Sequence, residues 1–325
     1  MKQSLVVATV VVIVLVGVAA FYAGTYFSMG TSSTTTGTTG GVIQVVAAEN
    51  FWGSLVSQLG GTKTNVVSVI TDPNVDPHEY ESNPQNAVAV ANAQMIIENG
   101  IGYDDWMTKL IAASSFNPHQ VVLNVASLLG VSEDDPDYGA NASVMFSNEH
   151  FWYNPVFVNK TVNAMYKDLV GIDPSDTSYF QQNYKTLNAS LYSYMKIEAQ
   201  IKAQFAGTHV AATETIFLYM ANATGLDVVT PFTFMKAVAE GNDPSAQDVA
   251  TFQNQLQTQG YVKELVYNNQ TVSPLTNSMY VLAQQHNIPI ATISETLTPV
   301  GLTFQQWMTN ELNGILNGLE QSQQA

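Results

Sequence analysis

Four side chains, two from each half of the chain, could share one ion. His78 lies in "TDPNVDPHEYES" (71–82), just past the apolar run 64–70, and His150 lies in "SNEHFWYNP" (147–155). Glu214 directly follows "HVAAT" (209–213), and Glu295 directly follows "IPIATIS" (288–294). Open α/β sheets bind ligands outside the carboxyl ends of their strands, so polar residues just past a strand are the first candidates for chemistry. Two imidazoles and two carboxylates make an N2O2 donor set. It suits zinc, manganese or iron, and the imidazoles make it a poor match for magnesium or calcium. Each residue alone has a plainer reading. A lone histidine after a strand can be a hydrogen-bonded cap, and Glu214 and Glu295 can cap helix N-termini, where carboxylates are favoured. Glu79 and Glu81 either orient His78 or face solvent. His119, His209 and His286 have no such placement and read as ordinary surface or strand-edge residues.

The elements that must position these groups alternate along the chain. Strands are expected at 42–49, 64–70, 94–99 and 120–125, with helices near 51–60, 84–93 and 103–114. Trp52, Leu55, Val56 and Leu59 share one face of the first of these helices. Residues 176–205 contain no Gly or Pro, and Tyr184, Leu187, Leu191, Tyr194 and Met195 recur at helical spacing. Asp176 is the expected N-cap and Gly207 the expected stop of a helix ~45 Å long. Strands then return at 209–213, 226–230, 262–268 and 288–294, with helices to Ala223 and near 245–259, 274–286 and 303–320. Short β-branched runs alternating with amphipathic helices indicate α/β architecture. Two lobes are expected, each a mostly parallel sheet with flanking helices: 42–175, a rigid connecting helix 176–206, and 207–325.

Composition narrows the function classes. The chain has 325 residues, and all 10 of its basic residues are lysines against 26 acidic ones, for a formal net charge of -16. Nucleic-acid binding is excluded as a working class because phosphate contacts need a basic face. Charged residues are 11% of the chain, so Asn, Gln, Ser and Thr must carry the surface. Such a surface changes charge little when carboxylates protonate, which fits acid surroundings. With no cysteine, disulfides, zinc-thiolate sites, thiol catalysis and a lipidated N-terminal cysteine are excluded.

Residues 4–27 carry no charge and are longer than the ~7–15 residues of a secretory h-region; a membrane-spanning helix takes ~20. A retained single-pass transmembrane anchor is expected, with residues 1–3 cytoplasmic and the bulk of the chain extracellular. Cleavage after "GVAA" is the alternative. Residues 28–41 form a Ser/Thr/Gly linker, and sequons stand at Asn141, Asn159, Asn188, Asn222 and Asn269.

From about residue 43 onward the chain resembles the zinc/manganese-binding receptors of metal ABC importers, whose two lobes are linked by one long helix. "DPHEYE" (76–81) matches the family's first-ligand motif, and "SNPQNAVAVANAQMIIENGIGYDDWMTKL" continues its pattern. "NEHFWYNP" resembles the second, Asp-Pro-His-x-Trp-x-x-Pro, with Asn148 and Glu149 in place of the first two residues. "EGNDPSAQDVATFQNQL" resembles the glutamate-glycine-x-x-proline-serine stretch. The resemblance implies that His78, His150, Glu214 and Glu295 hold a transported Mn2+, Zn2+ or Fe2+ between the lobes. Glu214 stands where zinc-type members often have His and manganese-type members have Glu. Glu295 replaces the usual Asp, and the loop 130–143 is acidic where zinc-type members are often His-rich. These departures tilt the expectation toward manganese or iron.

A monomeric receptor docking on an ABC permease is therefore expected, with small lobe shifts on loading and an affinity that falls as histidines protonate near ~6.5. Two other classes remain: a surface adhesion module of the same fold, and a metallohydrolase. The second lacks H-E-x-x-H and would need an open coordination position and a general base.

Overall fold

Apolar runs between turn residues set the strands. Those of the first sheet are Ile43–Glu49 (β1), Thr64–Ile70 (β2), Met95–Glu98 (β3) and Val121–Asn124 (β4). Those of the second are His209–Ala212 (β5), Asp227–Val228 (β6), Leu265–Asn268 (β7) and Ile290–Ile293 (β8). This is a computed structural model, and it describes residues 41–75, 77–78, 80–114, 117–131 and 148–324. Every strand pairing is parallel, in the orders β2-β1-β3-β4 and β6-β5-β7-β8. β3 and β7 are buried along their whole length, as central strands covered by helices on both faces should be. The two sheets use the same winding, and in each the strand order reverses beside the first strand. That is where a crevice opens at the carboxyl ends.

The helices are Asn50–Gly60 (α1), Pro84–Asn92 (α2), Asp105–Ala113 (α3), Val125–Leu129 (α4), Pro155–Ile172 (α5), Thr177–Phe205 (α6), Leu218–Thr224 (α7), Phe232–Ala239 (α8), Ala246–Gln257 (α9), Pro274–Gln285 (α10) and Phe304–Gln324 (α11). The long helix appears as expected: α6 has 29 residues and is about 44 Å long. It buries Phe180, Leu187, Leu191, Tyr194, Glu198, Ile201 and Phe205 along one stripe. Gly207, at φ +77°, ends the segment. Asp176 precedes the helix but caps nothing with its side chain; its carboxylate pairs with Lys63 at 2.8 Å.

Other boundaries differ from expectation. The strand expected at 262–268 begins at Leu265, and that at 226–230 shrinks to two residues. Helices α4, α5 and α8 were not anticipated. For α5 the start signal is present: Pro155 occupies the first turn and the Asn154 side chain accepts from the Val156 and Phe157 amides.

α6 packs against α1, α5, α7 and α11. One contiguous apolar core therefore runs through both lobes, taking in Val45 and Ile97 from the first sheet and Val210 and Ile293 from the second. Smaller clusters cover each lobe's outer face, around Val46 and Trp106 and around Phe234 and Phe252. A shared core restrains lobe rotation, because hinge opening would expose it.

The expected anchor 4–27 and residues 28–40 of the linker lie outside the described residues, as does most of the acidic loop. Among the described residues no helix is long and apolar enough to cross a membrane. Of the sequons, Asn159, Asn222 and Asn269 are exposed and Asn188 is half-buried, while Asn141 lies outside the described residues.

Candidate metal centre

The carboxyl ends of both sheets deliver side chains to one place. β5 runs into Glu214, and β8 runs through Ser294 into Glu295. They are 1% and 7% exposed, respectively. Between them stands Asn268, the last residue of β7. Its side-chain amide donates to Glu214 and, at 2.9 Å, to Glu295. The Thr271 hydroxyl donates to the same Glu295 oxygen at 2.8 Å. Two carboxylates are thus fixed by one amide, leaving other oxygens directed elsewhere.

His150 arrives from the segment preceding α5 and is 1% exposed. Its Nδ1 lies 2.6 Å from the Asn148 side-chain oxygen, which accepts the ring N–H and so leaves Nε2 as a lone-pair donor. Asn148 is anchored in turn: its amide donates to the Thr215 carbonyl at 2.8 Å, and its own carbonyl accepts from the Tyr219 hydroxyl at 2.8 Å. Nε2 then stands 3.4 Å from Glu214 Oε1. Neither atom has a hydrogen-bond partner, though both are buried. Orphaned buried polar atoms are rare and need an explanation. Donor atoms of His150, Glu214 and Glu295 all lie within 4.8 Å of one another, a spacing able to hold a metal ion.

His78 stands one step out. Its Nε2 is 3.8 Å from Glu149 Oε1, and it is outside the group of three. Glu81 is exposed, and Glu79 lies outside the described residues. Among the described residues, Glu149 is a carboxylate beside His78. Tyr103 ties the positions together. Its ring centroid is 4.9 Å from His78 and 6.0 Å from His150, and its hydroxyl lies 3.4 Å from Glu295 Oε2. The turn carrying Tyr103 is unusual: Gly100, Ile101 and Gly102 all have positive φ, at 84°, 46° and 81°. Asp104 closes it by accepting from the Asn99 and Gly100 amides. Ile101 is β-branched, and such a conformation costs ~1–3 kcal/mol, a strain typical of functional turns.

Burial dominates the electrostatics. It pushes the Glu214 carboxyl well above its usual range, helped by the adjacent Glu295 charge, and it holds the His150 imidazole well below its usual range. Burial also raises the Tyr103 phenol, so that group stays protonated and donates. Trp152, 5.2 Å from His150, and Phe51, stacked on Trp152 at 4.1 Å, form the apolar wall responsible.

His119 and His286 are exposed, and His209 pairs with Asp227 at 3.3 Å, all apart from this centre. Asn268 escaped the sequence reading although it obeys the same rule, a polar residue at a strand's carboxyl end. Asn148 was noted there only as a departure from a motif, not as the residue that sets the His150 tautomer.

Comparison with known proteins places the chain in a family. The chain is 24% identical over 205 residues to a manganese-binding lipoprotein, MntA, of Halalkalibacterium halodurans, covering 62% of this chain and 64% of that protein. It is 25% identical over 202 residues to the iron ABC transporter substrate-binding lipoprotein MtsA of Streptococcus pyogenes, covering 57% and 60%. The chain thus spans about three-fifths of the length of these curated relatives. In fold it is similar to the Mn-bound periplasmic metal binding protein of candidatus Liberibacter asiaticus: TM-score 0.67, 17% identity, covering 85% of this chain and 98% of that one. A family model described as ZnuA, zinc-uptake complex component A periplasmic, matches residues 45–318, and the chain belongs to that family.

Proposed function

We propose that this protein is an extracellular receptor that captures a divalent transition metal, Mn2+, Zn2+ or Fe2+, between its lobes and delivers it to an ABC permease. The observation that carries this reading is the pair of orphaned buried atoms, His150 Nε2 and Glu214 Oε1, facing each other 3.4 Å apart beside Glu295. His150, Glu214 and Glu295 serve as inner donors and His78 as the fourth, approaching from the first lobe. The cation supplies the charge that two neighbouring carboxylates need in a dry site. Below its raised pKa the empty Glu214 keeps a proton that the ion must displace, so loading releases protons and affinity rises with pH.

The lobes 42–175 and 207–325 close on the cleft around the connecting helix 176–206. The relatives are named lipoproteins, whereas this chain has no cysteine to carry a lipid. The apolar run 4–27 is the single-pass membrane anchor in our reading, and it would keep the receptor near its permease.

Calorimetry on the detergent-solubilised full chain tests the proposal. One tightly bound ion per chain is expected with at least one of the three metals near pH 7.5, and it should be lost in His150→Ala. Absence of binding by all three ions would favour an adhesion role. Peptide or ester turnover that vanishes in His78→Ala would replace the receptor reading with a hydrolytic one.

A further inference from the structure

The family's second-ligand motif usually has proline directly before its histidine; this chain has Glu149 there. We propose that Glu149 is a fifth donor to the captured ion, a third carboxylate that makes the site oxygen-rich and biases it toward Mn2+ over Zn2+. This rests on the receptor reading above.

Geometry supports it first. Two donor atoms bound to one ion at ~2.0–2.2 Å can be at most ~4.4 Å apart. His78 Nε2 and Glu149 Oε1, at 3.8 Å, satisfy that limit before any ion arrives. Glu149 also acts electrostatically on the inner group, for its charge is felt by Glu214 and the Glu295 charge is felt by Glu149. The backbone at this position is held in place. The Glu149 carbonyl accepts from the Asn99 amide at 2.8 Å and from the Phe151 N–H at 2.8 Å. Asn99 is itself fixed by the Trp52 indole N–H at 3.2 Å. The side chain therefore swings from a fixed base.

The surroundings do not neutralise it otherwise. Glu149 lines a cavity of about 190 Å3 together with His78, Thr215, Lys236 and Glu240. The one lysine there is engaged by Glu240 at 3.6 Å. Glu149 stands beside His78, outside the inner group, and a cation recruiting His78 would stabilise this mostly buried carboxylate as well. The two orphaned atoms of His150 and Glu214 point independently to where that cation sits.

The chemistry then sets the preference. Zinc is satisfied by four tetrahedral donors, which His78, His150, Glu214 and Glu295 already supply. Mn2+ takes more donors and prefers oxygen, so it gains more from a fifth, carboxylate ligand.

The test compares Glu149→Ala and Glu149→Gln with wild type in full-length protein, by calorimetry with Mn2+ and Zn2+ and by X-ray absorption on the Mn2+-loaded forms. We expect Mn2+ affinity to fall about tenfold or more while Zn2+ affinity stays within about threefold, with one fewer oxygen around manganese. Thermal melting of the ion-free variants confirms that they fold; of the two, Glu149→Gln retains the side chain's size. Equal loss for both ions, or no loss for either, would overturn the proposal, as would an unchanged donor count. If wild type binds neither ion, or His150→Ala binds as wild type does, the receptor reading itself fails, and that result is read without the Glu149 variants.

Discussion

On the C-terminal side of the cleft, Glu214 and Glu295 are buried, share the Asn268 amide, and follow β5 and β8 of one sheet, with β7 between them. On the N-terminal side, His78 keeps 30% of its side chain exposed and is held near Glu149 at 3.8 Å, outside the inner group. The two sheets have the same strand order, so topology does not account for the contrast. Its source is distance from the strand. Glu214 and Glu295 are two residues past β5 and β8, whereas His78 is eight past β2. A donor close to a strand inherits the sheet's rigidity; one far from it needs an anchor of its own, as His150 has in Asn148. Because one core joins both lobes, the adjustment on loading belongs to side chains and the loop more than to a swing of the lobes.

The largest expected effect separates the inner donors, His150 among them, from His78 directly. His150→Ala and Glu214→Gln each remove an inner donor, and should weaken metal binding by more than the ~10–100-fold typical of outer-shell losses. His78→Ala removes a donor the ion must recruit, and should cost about tenfold. Calorimetric titration of the three variants against the same metal decides the matter. If His78→Ala proves as damaging as the inner variants, the two sides are equally preset and the comparison breaks.

Next in size is Asn268→Ala. One amide orients two carboxylates, so its removal should weaken affinity ~10–100-fold with no direct donor lost. It also removes the amide that bridges Glu214 and Glu295. Asn268→Asp, adding a third negative charge at the same spot, sharpens the test: ion-free protein should melt lower than Asn268→Ala, and metal should restore more of the loss.

Much of this was legible in the sequence. The β-branched runs gave all eight strands, and the uninterrupted stretch to Phe205 gave the long helix, because each signal is local. His78, Glu214 and Glu295 were sought past strand ends and His150 after the acidic loop by its motif; donor atoms of three of the four lie close together. What escaped depends on three-dimensional conformation. No spacing places Asn148 on His150 Nδ1, Asn268 between two carboxylates, or Tyr103 against both histidines. The first is set by the local shape of a loop, and the other two by how strand ends and loops pack within each lobe. The shared core was invisible because the pattern of α6 shows one buried stripe, not which helices from both lobes cover it.

The smallest effect concerns acid groups buried away from the cleft, where the sides are alike. Asp104 in the first lobe is raised to about 7, and Glu311 on α11 to about 8, in both cases chiefly by burial. The Tyr153 hydroxyl donates at 2.6 Å to Glu311 Oε2 and lies 2.8 Å from the Ser294 carbonyl, and the Ser294 amide donates to Glu311 Oε1 at 2.9 Å. These bonds favour the charged form but do not outweigh burial. The consequence has a definite sign. In the unfolded chain Glu311 loses its proton near its ordinary 4.5; in the folded protein it keeps it to about 8. Its share of stability is complete below 4.5 and is lost as pH rises through about 8. Melting temperature should therefore be a few degrees higher at pH 5.5 than at pH 8.5 in metal-free protein, as ~1 kcal/mol moves a domain of this size by about 2–4 °C. Glu311→Gln keeps an acceptor for the Ser294 amide but cannot ionise, so it should flatten that slope. A melting temperature that instead falls on acidification, or a slope unchanged in the variant, would show that the charged form is tolerated in the fold.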